Sequence, residues 1–107
     1  MQTTQTENDL HIEVLQLKKA ALIYRAVNHQ LRQQMLQLLH KNQRMAVTDV
    51  YIKLRLEQSV ASQHLAILRK AGFVNTERDG KRIFYSVNYQ RLQEVGKRAE
   101  DLISAEV

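Results

Sequence analysis

Apolar positions along the chain follow two periods. From Asp9 onward Leu10, Val14, Leu17, Ala21 and Tyr24 recur at spacings of four and three, which is one face of a helix. The eight residues before it are polar, so 1–8 is expected to be a disordered N-terminus and 9–107 a single domain. Asn28 is placed to cap a second helix, whose stripe is Leu31, Met35, Leu38 and Leu39. Lys41-Asn42-Gln43-Arg44 makes a polar break, and Met45-Ala46-Val47 fits a short strand. Thr48 or Asp49 is expected to cap a third helix with Val50 and Leu54 inward, and Leu56 falls in the turn after it. Glu57 to Ala71 reads as a fourth helix, ended by Gly72 just past its last turn.

Beyond Gly72 the period becomes two. Val74, Thr76 and Arg78 alternate up to Asp79-Gly80, and Lys81, Ile83, Tyr85 and Val87 alternate after it. Asp-Gly between alternating runs predicts a hairpin with a type I′ turn, pairing Arg78 with Lys81 and Thr76 with Ile83. Asn88 is placed to cap a last helix carrying Leu92, Val95, Ala99 and Leu102. The predicted fold is mainly α (α+β), in the order α-α-β-α-α-β-β-α. A helix, a turn, a second helix and then a hairpin is a winged helix-turn-helix.

The fourth helix carries the informative surface. With Ala61, Leu65 and Leu68 inward, its first two turns present Ser59, Val60 and Gln63, with Ser62 on the flank and Gln58 at the start. Short hydroxyl and amide side chains fit a major groove, where amides pair with adenine edges and an apolar Val60 can touch a thymine methyl. The competing reading is a plain solvated face, but such faces usually carry Lys and Glu, which here stand only at the helix ends. His64 lies beside the core face and has two readings, a packed or capping histidine and a DNA contact. The hairpin tip adds Arg78, Lys81 and Arg82, with Asp79 as its one acid, and these cations fit a wing on phosphates or in a minor groove. Exposed turns are often charged, which is the bland reading of the same residues.

Composition supports the DNA reading. The chain has 107 residues and a formal charge of +5, which favours an anionic partner. It has no Cys, which removes disulfides, thiolate metal sites and cysteine nucleophiles. No apolar run approaches the ~18 residues a bilayer span needs, and the start is polar and acidic, unlike a signal peptide. The expected location is cytoplasmic, with no membrane partner. His11, His29, His40 and His64 include no pair at helical metal-ligand spacing, so no metal site is expected. No nucleophile–base pair or phosphate-cradling Gly loop is present, so neither catalytic residues nor a cofactor are expected.

The stretch Leu56-Glu57-Gln58-Ser59-Val60-Ala61-Ser62-Gln63-His64-Leu65, with Leu68-Arg69-Lys70-Ala71-Gly72-Phe73-Val74, Arg78-Asp79-Gly80-Lys81 and Tyr85-Ser86-Val87-Asn88, resembles the ArsR/SmtB family of bacterial repressors. The likeness covers roughly residues 20–90. It implies a homodimer formed by the first and last helices, on double-stranded operator DNA released by a metal or another effector. Three departures stand out. Thr48 to Leu54 lacks the family's Cys box, residues 89–107 contain no His for an intersubunit zinc site, and Arg55 occupies a turn position where Gly is common. The first two point to a small-molecule or protein effector instead of a metal.

The stripes Leu10-Val14-Leu17-Ala21-Tyr24 and Leu92-Val95-Ala99-Leu102 are also too long for one small core to bury, which independently points to a homodimer. The alternative function is a winged-helix protein-interaction module without DNA binding. A basic membrane-surface protein is disfavoured, because no helix combines a Lys/Arg-rich face with an aromatic one.

Overall fold

A computed structural model describes residues 9–105, so the expectation for residues 1–8 lies outside the described residues. Within it the order is α1 (Val14–Val27), α2 (Gln30–Asn42), β1 (Met45–Ala46), α3 (Val47–Leu54), α4 (Gln58–Lys70), β2 (Val74–Asp79), β3 (Arg82–Val87) and α5 (Tyr89–Ser104). The strands form one antiparallel sheet in the order β1-β3-β2, with Met45 opposite Tyr85 and Ala46 opposite Phe84. This is the winged helix-turn-helix expected from the sequence. No helix of the described residues is long and apolar enough to cross a membrane.

The core forms where the stripes converge. Met35 and Leu39 of α2, Val50 of α3, Leu65 and Leu68 of α4, and Phe73 are the largest fully buried side chains. Burying each contributes about 1.5–3 kcal/mol relative to exposure, which offsets the chain entropy lost on ordering. Gly72 makes the position of Phe73 possible. Its φ of +86° turns the chain out of α4, Phe73 N–H donates to Leu68 O at 2.9 Å, and Phe73 is directed back into the core. A Cβ at Gly72 would stand 2.8 Å from Arg91 Nε, the far end of a flexible side chain that can move aside, so it is the positive φ that disfavours a side chain here.

Several local expectations are corrected. The first helix begins at Val14, not Asp9, which leaves Leu10 outside it and 79% exposed. Val14 is the first residue of this segment to gain partial burial, and short helices need such packing to persist. His29, not Asn28, caps α2: its extended backbone lets Nδ1 accept from Arg32 N–H. Neither Thr48 nor Asp49 caps α3, which starts at Val47 directly after buried Ala46 leaves the sheet. The hairpin register is shifted by one residue on each strand: Asp79 faces Arg82, Arg78 faces Ile83 and Thr76 faces Tyr85. The loop is therefore Gly80-Lys81, and of its two residues only Gly80 has positive φ, the φ pattern of a type II′ turn. Asn88 does cap α5, accepting from Arg91 N–H while its amide donates to Gly72 O at 2.8 Å.

Candidate nucleic-acid interface

The helix-turn-helix consists of α3, the turn Arg55–Glu57 and α4. Arg55 ends α3 in the left-handed region, at φ 56° and ψ 48°. Leu56 N–H then donates to Tyr51 O at 2.9 Å, which closes the turn. Ala61, Leu65 and Leu68 have no exposed surface, so the inward face of α4 is the one expected. Its rotation leaves Gln58, Ser59, Ser62 and Gln63 exposed. Val60 is half-buried, so it presents less surface than an outward position would.

His64 is half-buried at the edge of the exposed face of α4, where it packs against Arg32 and His29. Arg32 is 7% exposed, and its guanidinium spans three elements. Nε donates to Ala26 O at 2.7 Å and Nη2 to Arg25 O at 3.2 Å, at the last carbonyls of α1. Nη1 lies 3.1 Å from His64 Nδ1, and because guanidinium only donates, Nδ1 accepts. The His64 proton then sits on Nε2. The His29 and His64 rings lie 5.0 Å apart, tilted by 47°. Burial, the Arg32 charge and His29 hold the His64 pKa below its ordinary value. This brace ties α1, α2 and α4 together. Nothing in the sequence distinguished Arg32 from a solvated helix residue.

The wing also departs from its simple reading. Arg82 Nη2 donates to Asp49 Oδ2 at 2.9 Å, so one of the three expected cations is engaged with the first turn of α3. Arg44, read in sequence as part of a polar break, reaches Glu77 and donates to Asp79 Oδ2 at 3.2 Å. Its guanidinium also lies 4.1 Å from the Phe84 ring centroid, with that of Arg82 at 5.2 Å. Arg44 thus offsets the acids of β2 and stacks the wing onto the body. Among the described residues, Arg78 and Lys81 are exposed and have no ion-pair partner. The net effect is a wing whose acids are neutralised and whose tip keeps two available cations.

The sequence profile of the bacterial regulatory protein, arsR family, matches residues 29–76. A helix-turn-helix-type transcriptional regulator of Methanocaldococcus jannaschii is 35% identical over 85 residues, which cover 79% of this chain and 96% of that protein. The chain belongs to the ArsR family. It is a DNA-binding transcriptional regulator. The transcriptional repressor PagR of Bacillus anthracis is 30% identical over 83% of this chain and 89% of its own length. The PagR crystal structure aligns at a TM-score of 0.59 with 32% identity, covering 71% of this chain and 86% of PagR. The Vibrio cholerae activator HlyU is 37% identical over 65% of this chain and 64% of its own length, and its structure aligns at a TM-score of 0.62.

The expected dimer residues of this ArsR-family regulator divide into two groups. Tyr24, Leu92 and Val95 are half-buried within the single chain, and Tyr24 Oη donates to Val95 O at 3.4 Å. Val14 and Ala99 are also half-buried, whereas Leu17, Ala21 and Leu102 are exposed. Among the described residues, no three or more His, Cys, Asp or Glu side chains gather where they could hold a metal ion.

Proposed function

We propose that this ArsR-family chain is a homodimeric repressor that acts in the cytoplasm on an inverted-repeat operator. Ser59, Ser62 and Gln63, with Gln58 and Val60, read base edges in the major groove. Arg78 and Lys81 hold the flanking phosphates, and Arg82 supports the wing through Asp49. His64 acts indirectly, by fixing the rotation of α4. The observation that carries this reading is the exposed face of the first two turns of α4, free of long charged side chains, next to a wing tip with two unpaired cations. PagR, a named repressor, supports repression, which a groove-filling protein achieves by occlusion.

The dimer reading rests on α1 and α5. No residue of α5 is fully buried, and Leu17 and Leu102 are 60% and 68% exposed. The radius of gyration is 17.5 Å, against about 13 Å for a compact chain of this length. Pairing the two helices with their copies across a two-fold axis covers these stripes. The two recognition helices then enter successive major grooves about 34 Å apart. DNA release comes from a small organic molecule or a protein that prefers one dimer arrangement.

The test is selection of random DNA fragments by the purified protein, followed by sequencing. Enrichment of an inverted repeat with half-site centres about one helical turn apart supports the proposal. Recovery of no common sequence contradicts it and favours the protein-interaction alternative.

A further inference from the structure

A cleft of about 360 Å³ opens between α1 and the C-terminal half of α4. Leu22, Ile23 and Ala26 line it from α1, and Ile67 and Ala71 from α4 and its cap. This volume is at the small end of the range for ligand sites. Leu22 and Ile67 are 61% and 41% exposed, so apolar surface is available to an occupant. Lys19 and Lys70 complete the lining, and among the described residues neither has an ion-pair partner. An apolar cleft with two unneutralised ammonium groups complements a ligand with an apolar body and an anionic head.

The cleft is separate from the surfaces already assigned. At about 100° per residue, Lys19, Leu22, Ile23 and Ala26 lie on the opposite side of α1 from Leu17, Ala21 and Tyr24. Dimerisation through the latter stripe therefore leaves the cleft open. On α4, Ile67 and Ala71 continue the stripe of Val60 and His64 toward the C-terminus. Ala26 is shared with the brace, since its carbonyl accepts from Arg32 Nε. An occupant would thus press on the junction that sets α4 against α1.

We propose that this cleft binds a free medium-chain aliphatic carboxylate and that its occupancy lowers operator affinity. The hydrocarbon chain lies against Leu22 and Ile67, and the carboxylate meets Lys19 and Lys70. The regulatory half of this proposal rests on the DNA-binding reading above, whereas the binding half does not. Coupling arises because the ligand favours one spacing of α1 and α4, and DNA favours the other.

Sodium decanoate is the probe, titrated into the full chain without DNA and followed by calorimetry and methyl NMR. Saturable binding below the micellar concentration is expected, with shifts at the Leu22 and Ile67 methyl groups. Decylamine, of equal length and opposite charge, should bind at least about tenfold more weakly, and the exposed-site double variant Lys19→Gln/Lys70→Gln should lose decanoate affinity by a similar factor. Saturating decanoate should reduce operator affinity by about 5–150-fold, the usual range of allosteric coupling. Absence of saturable binding, equal binding of decylamine, or an unaffected double variant would overturn the site. Binding with unchanged operator affinity would overturn its regulatory role. Failure of the ligand-free protein to bind any operator would instead overturn the DNA reading, and the DNA-free titration would still decide the site.

Discussion

At the scale of single residues, Gln63 and His64 are neighbours in different surroundings. Gln63 is exposed on α4, and a bidentate amide contact discriminates one base. Gln63→Ala should therefore cost about 1–3 kcal/mol on the operator and relax the preference at one position of each half-site. Binding assays on a panel of single-base operator variants measure this, and equal weakening on every sequence would show that Gln63 reads no base. His64 Nδ1 accepts from Arg32, and burial, the Arg32 charge and His29 lower its pKa. The unfolded chain therefore takes up this proton at a higher pH than the folded one, so the contribution is complete above about 6.5 and is lost as pH falls below it. Thermal unfolding between pH 7.5 and 5 should show a steeper loss for wild type than for His64→Gln, and parallel curves would remove His64 as the cause. Gln63 was legible because helical period alone puts it opposite Leu65. The brace was not, because a buried Arg32 differs from a solvated one only by the carbonyls and ring brought to it in three dimensions.

Among the elements, the turn and the wing carry separate expectations. Arg55 holds a left-handed conformation, which costs a side-chain-bearing residue roughly 1–2 kcal/mol, while Gly avoids that cost but loses more chain entropy. Arg55→Gly should raise stability by up to about 1 kcal/mol in urea unfolding, and a clear loss would mean that the Arg55 side chain contributes packing. Arg78→Ala and Lys81→Ala should each weaken binding on every sequence and lower the salt slope by roughly one unit. Unchanged slopes in both would place the wing off the DNA. The helices and the hairpin were readable from their periods of 3.6 and 2, whereas the two-residue β1 is too short to show a period, and Val47, expected in that strand, opens α3. Their ends were less so. The hairpin register depends on which residue takes positive φ, and the Asp79–Arg82 pairing leaves that to Gly80 alone. The start of α3 follows from Ala46 pairing with Phe84, a contact nearly forty residues away that no local capping signal reports.

For the whole molecule, an extent of 58 × 32 × 23 Å and the exposed faces of α1 and α5 describe a chain that leaves much apolar surface uncovered. Leu102→Asp would place an unpaired charge in the proposed interface and should weaken the dimer by roughly 3–5 kcal/mol. Sedimentation at micromolar concentration should then give a dimer for wild type and a monomer for the variant, and a monomeric wild type would refute the interface. The stripes were visible in sequence. That Tyr24, Leu92 and Val95 are partly spent inside the single chain was not, because period fixes a face but not its partner. The central claim, sequence-specific DNA recognition by α4, is tested most directly by fluorescence anisotropy on the selected operator and on a scrambled duplex of equal length and composition, at one fixed physiological salt concentration. The expected result is an operator preference of at least about 10³. Equal affinity for the two duplexes would contradict it.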